Sequence, residues 1–419
     1  MGWVTAEHPT TDELNACVQC GLCLPACPTF RLTGRETASP RGRLQAMKAV
    51  HRGVLEVDGP FQGIIDFCLG CRACEPVCPG MVPYGRALEG TRAEIVAQRP
   101  SWAHRFRSFA LGPVLGSRSS LRFGSALLAV AQRARATAIA PARYRRLSAG
   151  LRPLRRRPAP TLGHSGGGGV SGTVGVLAGC IQDEWFRPVN HAAIELLEMA
   201  GFRVDVPVGQ TCCGALAAHD GKAAEARSLA ARNVPVFSGY DQVVVTSAGC
   251  SAQMREYRHW ADDGEEIGDK AVDVTVAVAR AIEAGLLPRM ETASGQVAIQ
   301  DPCHLRHAQR VVAEPRLILE AAGYEVVEID PAGMCCGAAG LYTVLQPEAS
   351  QELGNRKADQ IRFTGVSRVA SANPGCEMQL RSALGAGYEI AHPIEWYLRA
   401  VRDKAQTGIV AAEEAPGDG

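Results

Sequence analysis

The sequence predicts an α+β multidomain chain, with a helical N-terminal domain followed by two repeated α/β lobes built on parallel sheets. Three observations carry that expectation. Two cysteine runs share one spacing, Cys17-x2-Cys20-x2-Cys23-x3-Cys27-Pro28 and Cys68-x2-Cys71-x2-Cys74-x3-Cys78-Pro79, and helical apolar patterns lie between them. Beyond residue 172 strand-like apolar runs alternate with helical patterns, and that alternation means parallel strands. In the same half a Cys…Cys-Cys-Gly…Cys pattern occurs twice, with 31 residues between the first cysteine and the pair in each copy, the mark of a duplicated unit.

The runs define the chemistry of the first domain. Three thiolates spaced two residues apart wrap one iron-sulfur cube, while the fourth cysteine of such a run ligates the other cluster of a two-cluster ferredoxin. The expected ligand sets are therefore crossed. Cys17, Cys20, Cys23 and Cys78 serve one 4Fe-4S cluster, and Cys68, Cys71, Cys74 and Cys27 serve the second. Gly21 and Gly70 let backbone amides approach the sulfides, and Pro28 and Pro79 turn the chain away. Zinc sites use separated cysteine pairs rather than triplets. Ser39 is placed to cap a helix opening at Pro40, along which Leu44, Met47 and Val50 recur at helical spacing. Phe61, Ile64 and Ile65 mark a second helix, and Tyr84 to Val96 a third. Residues 1–98 thus read as a helical ferredoxin-type domain.

A chain of 419 residues that is 46% hydrophobic has material for more than one core. Sixteen cysteines, half of them in cluster runs, point to a reducing compartment and metal ligation rather than a secreted disulfide framework. The N-terminus is too polar for a signal peptide and the apolar runs are too short to span a membrane, so the expected location is cytoplasmic, peripheral on the membrane at most. Net charge is only +1, but no acidic residue falls between Glu94 and Asp183, whereas arginines recur from Arg99 to Arg157. This cationic belt fits a solvated face, an acidic partner subunit or an anionic membrane surface. Nucleic acid does not fit, since no aromatic stacking module accompanies it. Residues 99–171 read as an Arg-rich helical segment ending in a Gly-rich linker. Gly167, Gly169 and Gly172 spell a dinucleotide-type glycine pattern, but it precedes a strand instead of following one.

The duplicated units are expected over residues 172–290 and 291–406, with a disordered acidic tail at 407–419. Cys180, Cys212, Cys213 and Cys250 belong to the first copy, and Cys303, Cys335, Cys336 and Cys376 to the second. Each four-thiol set suffices for a further iron-sulfur cluster or zinc, or stands as structural thiols. Cys180, Cys250, Cys303 and Cys376 fall after strands, at the sheet edge where α/β sites form. The eight cysteines meet in one shared cleft or in two separate pockets. His304 reads as a hydrogen-bonded histidine beneath a strand end, and Asp301 as the cap of a turn. No triad, Cys-His pair or carboxylate pair marks a catalytic residue.

Taken together, the two runs, Ser39-Pro-Arg-Gly-Arg-Leu44, Asp301-Pro-Cys-His-Leu-Arg-His-Ala-Gln309, Met334-Cys-Cys-Gly-Ala-Ala-Gly340 and Asn373-Pro-Gly-Cys376 resemble the iron-sulfur subunit of bacterial glycolate oxidase. The resemblance implies an electron-transfer subunit, not catalytic alone, that relays electrons from an FAD-containing 2-hydroxy acid dehydrogenase subunit toward quinone. Related subunits serve lactate utilisation, glycerol-3-phosphate oxidation and heterodisulfide reduction, and a cluster-bearing sensor or scaffold is the reading from another class. In heterodisulfide reductases each repeat ends in C-x-x-C; here Ser247 and Asn373 stand at the first cysteine of that pair.

Overall fold

The computed structural model describes residues 2–100, 118–134, 148–154, 158–291 and 294–413. The N-terminal region is helical, with helices Thr11–Asn15, Pro28–Thr33, Pro40–His51, Gly59–Asp66 and Tyr84–Gln98. Local chemistry sets their starts. Thr10 and Glu13 form a reciprocal capping box; Ser39 Oγ accepts from Gly42 N at 2.9 Å ahead of Pro40; and Asp58 Oδ1 accepts from Phe61 N at 2.8 Å. The inward faces of these helices supply one core, in which Leu14, Leu44, Met47, Val50, Phe61, Ile65 and Leu88 are buried together with Cys68 and Cys74. Each such aliphatic or aromatic side chain contributes about 1.5–3 kcal/mol of transfer free energy.

The two lobes repeat one topology. The first sheet contains β1 (Ser165–Gly166), β2 (Thr173–Leu177), β3 (Arg203–Asp205), β4 (Gln242–Val245) and β5 (Ala271–Asp273), in the order β1-β3-β2-β4-β5. The second contains β6 (Gly295–Gln300), β7 (Tyr324–Glu328), β8 (Arg368–Ser371) and β9 (Glu389–Ala391), in the order β7-β6-β8-β9. All pairings are parallel except that of β1 with β3. Without β1 the two orders are the same. Burial of both faces explains the near-continuous apolar reading of Val174, Val176, Val243, Val244 and Val245.

The lobes do not fold apart. Helices Arg187–Met199 and Val274–Glu283 of the first share a core with Ala313–Ala321 and Pro393–Glu413 of the second, through Leu196, Val278, Ile282, Ile318, Ile394 and Tyr397. Among the described residues no helix is long and apolar enough to cross a membrane.

Three expectations change. The glycine-rich stretch is not a mere linker, because Ser165 and Gly166 pair with Asp205 and Val204 and extend the first sheet. The helix Pro393–Glu413 carries regular backbone through the first half of the expected tail. The cationic belt is not uniformly a surface. Arg152 lies largely buried between Glu377 and Glu395, its Nε 2.6 Å from Glu377 Oε1 and its Nη2 2.7 Å from Glu395 Oε2, and it pins the segment before the first lobe to the second. Arg105, Arg107, Arg135, Arg143, Arg145, Arg146, Arg155, Arg156 and Arg157 lie outside the described residues.

Burial pushes the Glu395 carboxyl up, but Arg152 outweighs it and holds the group at about 2. A folded value below the unfolded one of 4.5 means that the pair's contribution is fully present above about 4.5 and is lost as pH falls toward 2. Arg152→Met leaves the buried Glu395 without its cation and Glu377 with Arg381 alone, and is expected to cost about 3–5 kcal/mol. Thermal midpoints recorded at pH 7 and pH 4 check this: the wild type loses more on acidification than the variant does.

Candidate metal centres

Each cysteine run adopts the same backbone by different means. Around the middle cysteine of the first run, Gln19 and Gly21 have φ of 60° and 83°; around that of the second, Gly70 and Arg72 have 65° and 60°. Two left-handed residues flanking one cysteine bend the loop into a cup. Only one of the two is glycine in each run, and a non-glycine residue there is strained. Arg72 is held by Glu75 at 2.8 Å and by Glu256 of the first lobe at 2.5 Å; the Gln19 carbonyl accepts from Arg41 at 3.3 Å.

Exposure separates the expected sets. Cys27, Cys68, Cys71 and Cys74 are all buried, whereas Cys17, Cys23 and Cys78 are half-buried and Cys20 is exposed. The loop after Cys78 lies against the backbone just before the first run: a Cβ at Gly80 would sit 2.2 Å from the Ala16 carbonyl oxygen. Cys27 is the N-cap of helix Pro28–Thr33, its Sγ 3.3 Å from Thr29 Oγ1. Burial pushes the Cys23 thiol up to about 11 and raises Cys71 and Cys74 well above the ordinary thiol range. Burial also raises Cys68, yet Arg43 and then Arg92 outweigh it, with further help from Gly70 N at 3.4 Å and Tyr84 Oη at 3.6 Å, so its thiol lies below the usual value.

In the lobes the cysteines form two separate quartets. Sulfur contacts link Cys180 to Cys212 at 3.4 Å, and Cys212 through Cys213 to Cys250. In the second lobe they run from Cys303 through Cys335 to Cys336, which lies 3.2 Å from Cys376. Cys180, Cys250, Cys303 and Cys376 follow β2, β4, β6 and β8, at the C-terminal strand ends. Mutual hydrogen bonding alternates their acidities, with Cys212, Cys303 and Cys336 drawn well below the ordinary value and Cys180, Cys213 and Cys335 pushed well above it. Among the described residues no three Cys, His, Asp or Glu side chains converge as a single-ion site.

The quartets are not equivalent. The second shares an apolar cluster with the second run, comprising Leu69, Cys71, Ala73, Cys303, Met334, Cys335, Tyr342 and Leu353. The first lies in its own lobe's core. Ser247 and Asn373 meet one another at 3.2 Å across the seam between lobes, and Asn373 Nδ2 reaches Cys376 Sγ at 3.5 Å.

Asp301 is an ion-pair hub rather than a turn cap, taking Arg306 at 2.5 Å and Arg316 at 3.0 Å. His304 stacks on His219 with centroids 5.2 Å apart. Its Nδ1 is 3.7 Å from Cys303 Sγ and its Nε2 has no hydrogen-bond partner among the described residues, so it is less fully bonded than expected. His219 in turn binds Glu89 at 2.7 Å. Sequence reading missed His219, Glu89, Arg43 and Arg92 as companions of the cysteines; the buried charge of Arg43 offers no signal in an unaligned sequence.

Comparison with known proteins agrees with this division. Residues 13–82 match the model of a 4Fe-4S dicluster domain, and residues 174–255 and 297–381 match that of a cysteine-rich domain. A probable glycolate oxidase iron-sulfur subunit of Bacillus subtilis is 33% identical over 406 residues, 90% of each chain. The chain belongs to the family of glycolate oxidase iron-sulfur subunits. The glycolate oxidase iron-sulfur subunit of Escherichia coli is 29% identical over 88% of this chain and 90% of its own length. A fumarate reductase (CoM/CoB) subunit of Methanothermobacter marburgensis is 28% identical over 90% of this chain and 70% of its own.

The residues present fit iron-sulfur clusters in family terms: all-sulfur donor sets, in which burial raises Cys71 and Cys74 while nearby arginines lower Cys68, and a buried guanidinium bonded to neutral oxygens. Gly80→Ala forces Cβ against a backbone oxygen that cannot move aside, and is expected to lift Cys78 away from the first run. Iron analysis after anaerobic purification should then fall by about four atoms per chain, with the visible absorbance falling in proportion.

Proposed function

We propose that this chain is the iron-sulfur electron-transfer subunit of a flavin-dependent glycolate, or 2-hydroxy acid, dehydrogenase complex, passing electrons from a partner flavoprotein toward quinone. The observation that carries the proposal is the division of the eight N-terminal cysteines, around one helical core, into a buried set and a more exposed one, within a chain that aligns with a glycolate oxidase iron-sulfur subunit over nine-tenths of its length. Cys17, Cys20, Cys23 and Cys78 would hold one 4Fe-4S cluster, and Cys27, Cys68, Cys71 and Cys74 the other. Such clusters supply one-electron transfer.

The protein's own part is positioning and exclusion of water. Phe61, Ile65 and Leu88 share one core with Cys68 and Cys74, and Leu69 and Tyr342 join Cys71 to the second lobe. The exposed Cys20 gives the other set its opening to a partner. The quartets add eight further thiols, and the one containing Cys303 adjoins Cys71; we read it as a third centre, of iron-sulfur type. Membrane association draws support from helix Arg118–Arg133, on which Phe123, Leu127 and Val130 are exposed beside Arg122 in a stretch without acidic residues.

Two measurements test this reading. Isolated anaerobically from its own cells with its bound partners, the protein should bleach in the visible range on addition of glycolate, faster than with lactate or glycerol 3-phosphate. Bleaching by dithionite alone would instead favour a sensor or scaffold. Metal analysis of the same preparation should exceed about eight irons if a quartet is loaded. Flotation with anionic vesicles should fall severalfold for Phe123→Asp; unchanged flotation would remove that helix from the membrane reading.

A further inference from the structure

Arg43 is among the largest fully buried side chains of the described residues and is 0% exposed. Its guanidinium makes three bonds, from Nε to the Ile64 carbonyl at 2.9 Å, from Nη1 to the Ala38 carbonyl at 2.9 Å and from Nη2 to Thr29 Oγ1 at 3.1 Å. All three acceptors are neutral. Among the described residues no carboxylate pairs with it, although other largely buried arginines have such partners: Arg152 has Glu377 and Glu395, and Arg187 has Asp183 and Glu184. A buried cation without a counter-charge is unfavourable enough that its anion should be sought nearby.

The groups around Arg43 show where that anion belongs. Thr29 Oγ1, which accepts from Arg43, is 3.3 Å from Cys27 Sγ. The ionisable groups beside Arg43 are Cys68, Tyr84 and Cys27, and the Tyr84 hydroxyl is directed at Cys68 Sγ at 3.6 Å. A second arginine without a carboxylate among the described residues stands on the same cysteine. Arg92 Nη2 bonds the Cys68 carbonyl at 2.7 Å and its Nη1 the His219 carbonyl at 2.8 Å. The exposed set has no equivalent among the described residues. Its nearby cation, Arg41, is neutralised by Glu36 through two contacts, at 2.7 and 3.0 Å.

From this asymmetry, and resting on the two-cluster reading above, we propose that Arg43, assisted by Arg92, is a built-in counter-charge that makes the Cys27, Cys68, Cys71 and Cys74 site the higher-potential end of the relay. An electron arriving at a cluster adds one negative charge and no proton, so it is held more firmly where fixed positive charge is uncompensated. Burial of that set opposes the effect by excluding water, as does the negative charge in excess where Arg72 meets both Glu75 and Glu256; two guanidiniums without carboxylates still leave the balance positive, against none at the exposed set. Electrons from a one-electron donor docked at the Cys20 face are then drawn inward, toward the loop that adjoins the second lobe.

The test is a redox titration of the anaerobically reconstituted full chain, followed by electron paramagnetic resonance. Cys20→Ser identifies the exposed cluster by altering its signal alone. In the wild type the higher midpoint should belong to the other signal. Arg43→Gln should lower that midpoint by about a factor of ten in the reduced-to-oxidised ratio, about 59 mV for one electron; Arg43→Lys should restore most of it, and Arg41→Gln should leave it in place. If Arg43→Gln fails to assemble the buried cluster, Arg92→Gln decides by the same midpoint, which should fall by a smaller amount. A higher midpoint on the Cys20-sensitive signal, or a midpoint unmoved by Arg43→Gln and Arg92→Gln in chains holding about eight irons, overturns the inference alone. Wild-type iron far below about eight overturns the two-cluster reading and the inference with it.

Discussion

The short loop from Cys68 to Cys74 is the constraint on which the rest of the molecule depends, because three bodies close on it. Cys68 and Cys74 belong to the helical core, while Leu69, Cys71 and Ala73 pack against Met334, Cys335 and Tyr342 of the second lobe. Arg72 in the same loop reaches Glu256 of the first lobe. A loop of this length has no core of its own, and the left-handed backbone at Arg72 is kept by ion pairs on two sides. The cup that the second run forms is thus completed by residues far away along the chain.

Charge in this low-dielectric junction is the second theme. A unit charge about 6 Å away is worth about 3 kcal/mol at an effective dielectric near 20, comparable to the burial of a large apolar side chain. Arg152 and Arg187 direct that interaction at carboxylates and hold elements together. Arg43 and Arg92 bond carbonyls and a hydroxyl instead, and their field is left to act on Cys68.

Duplication has given two lobes of one topology with different duties. The parallel order recurs strand for strand, yet it is the second quartet whose apolar cluster takes in the second run. At the equivalent positions Ser247 and Asn373 the two copies meet each other across the seam, so side chains that read as missing ligands serve as the joint between lobes. Asp301 likewise looks local in sequence and is a hub between Arg306 and Arg316.

What the sequence determined by itself was whatever depends on spacing along the chain. Helix caps such as Ser39, the shared spacing of the two cysteine runs, the 31-residue interval of the repeat and the strand-end placement of Cys180, Cys250, Cys303 and Cys376 all follow from local periodicity and short-range chemistry. Composition served less well: a run of glycines looks like a linker whether or not β3 offers an edge to pair with, and the belt of arginines gave no hint that Arg152 turns inward. Only the tertiary structure decided which quartet adjoins the second run, which arginines are matched by carboxylates and which set of cysteines faces water. Those are long-range facts, fixed by how independently formed helices and sheets bury their apolar faces against one another, and no local pattern encodes the partner across that contact.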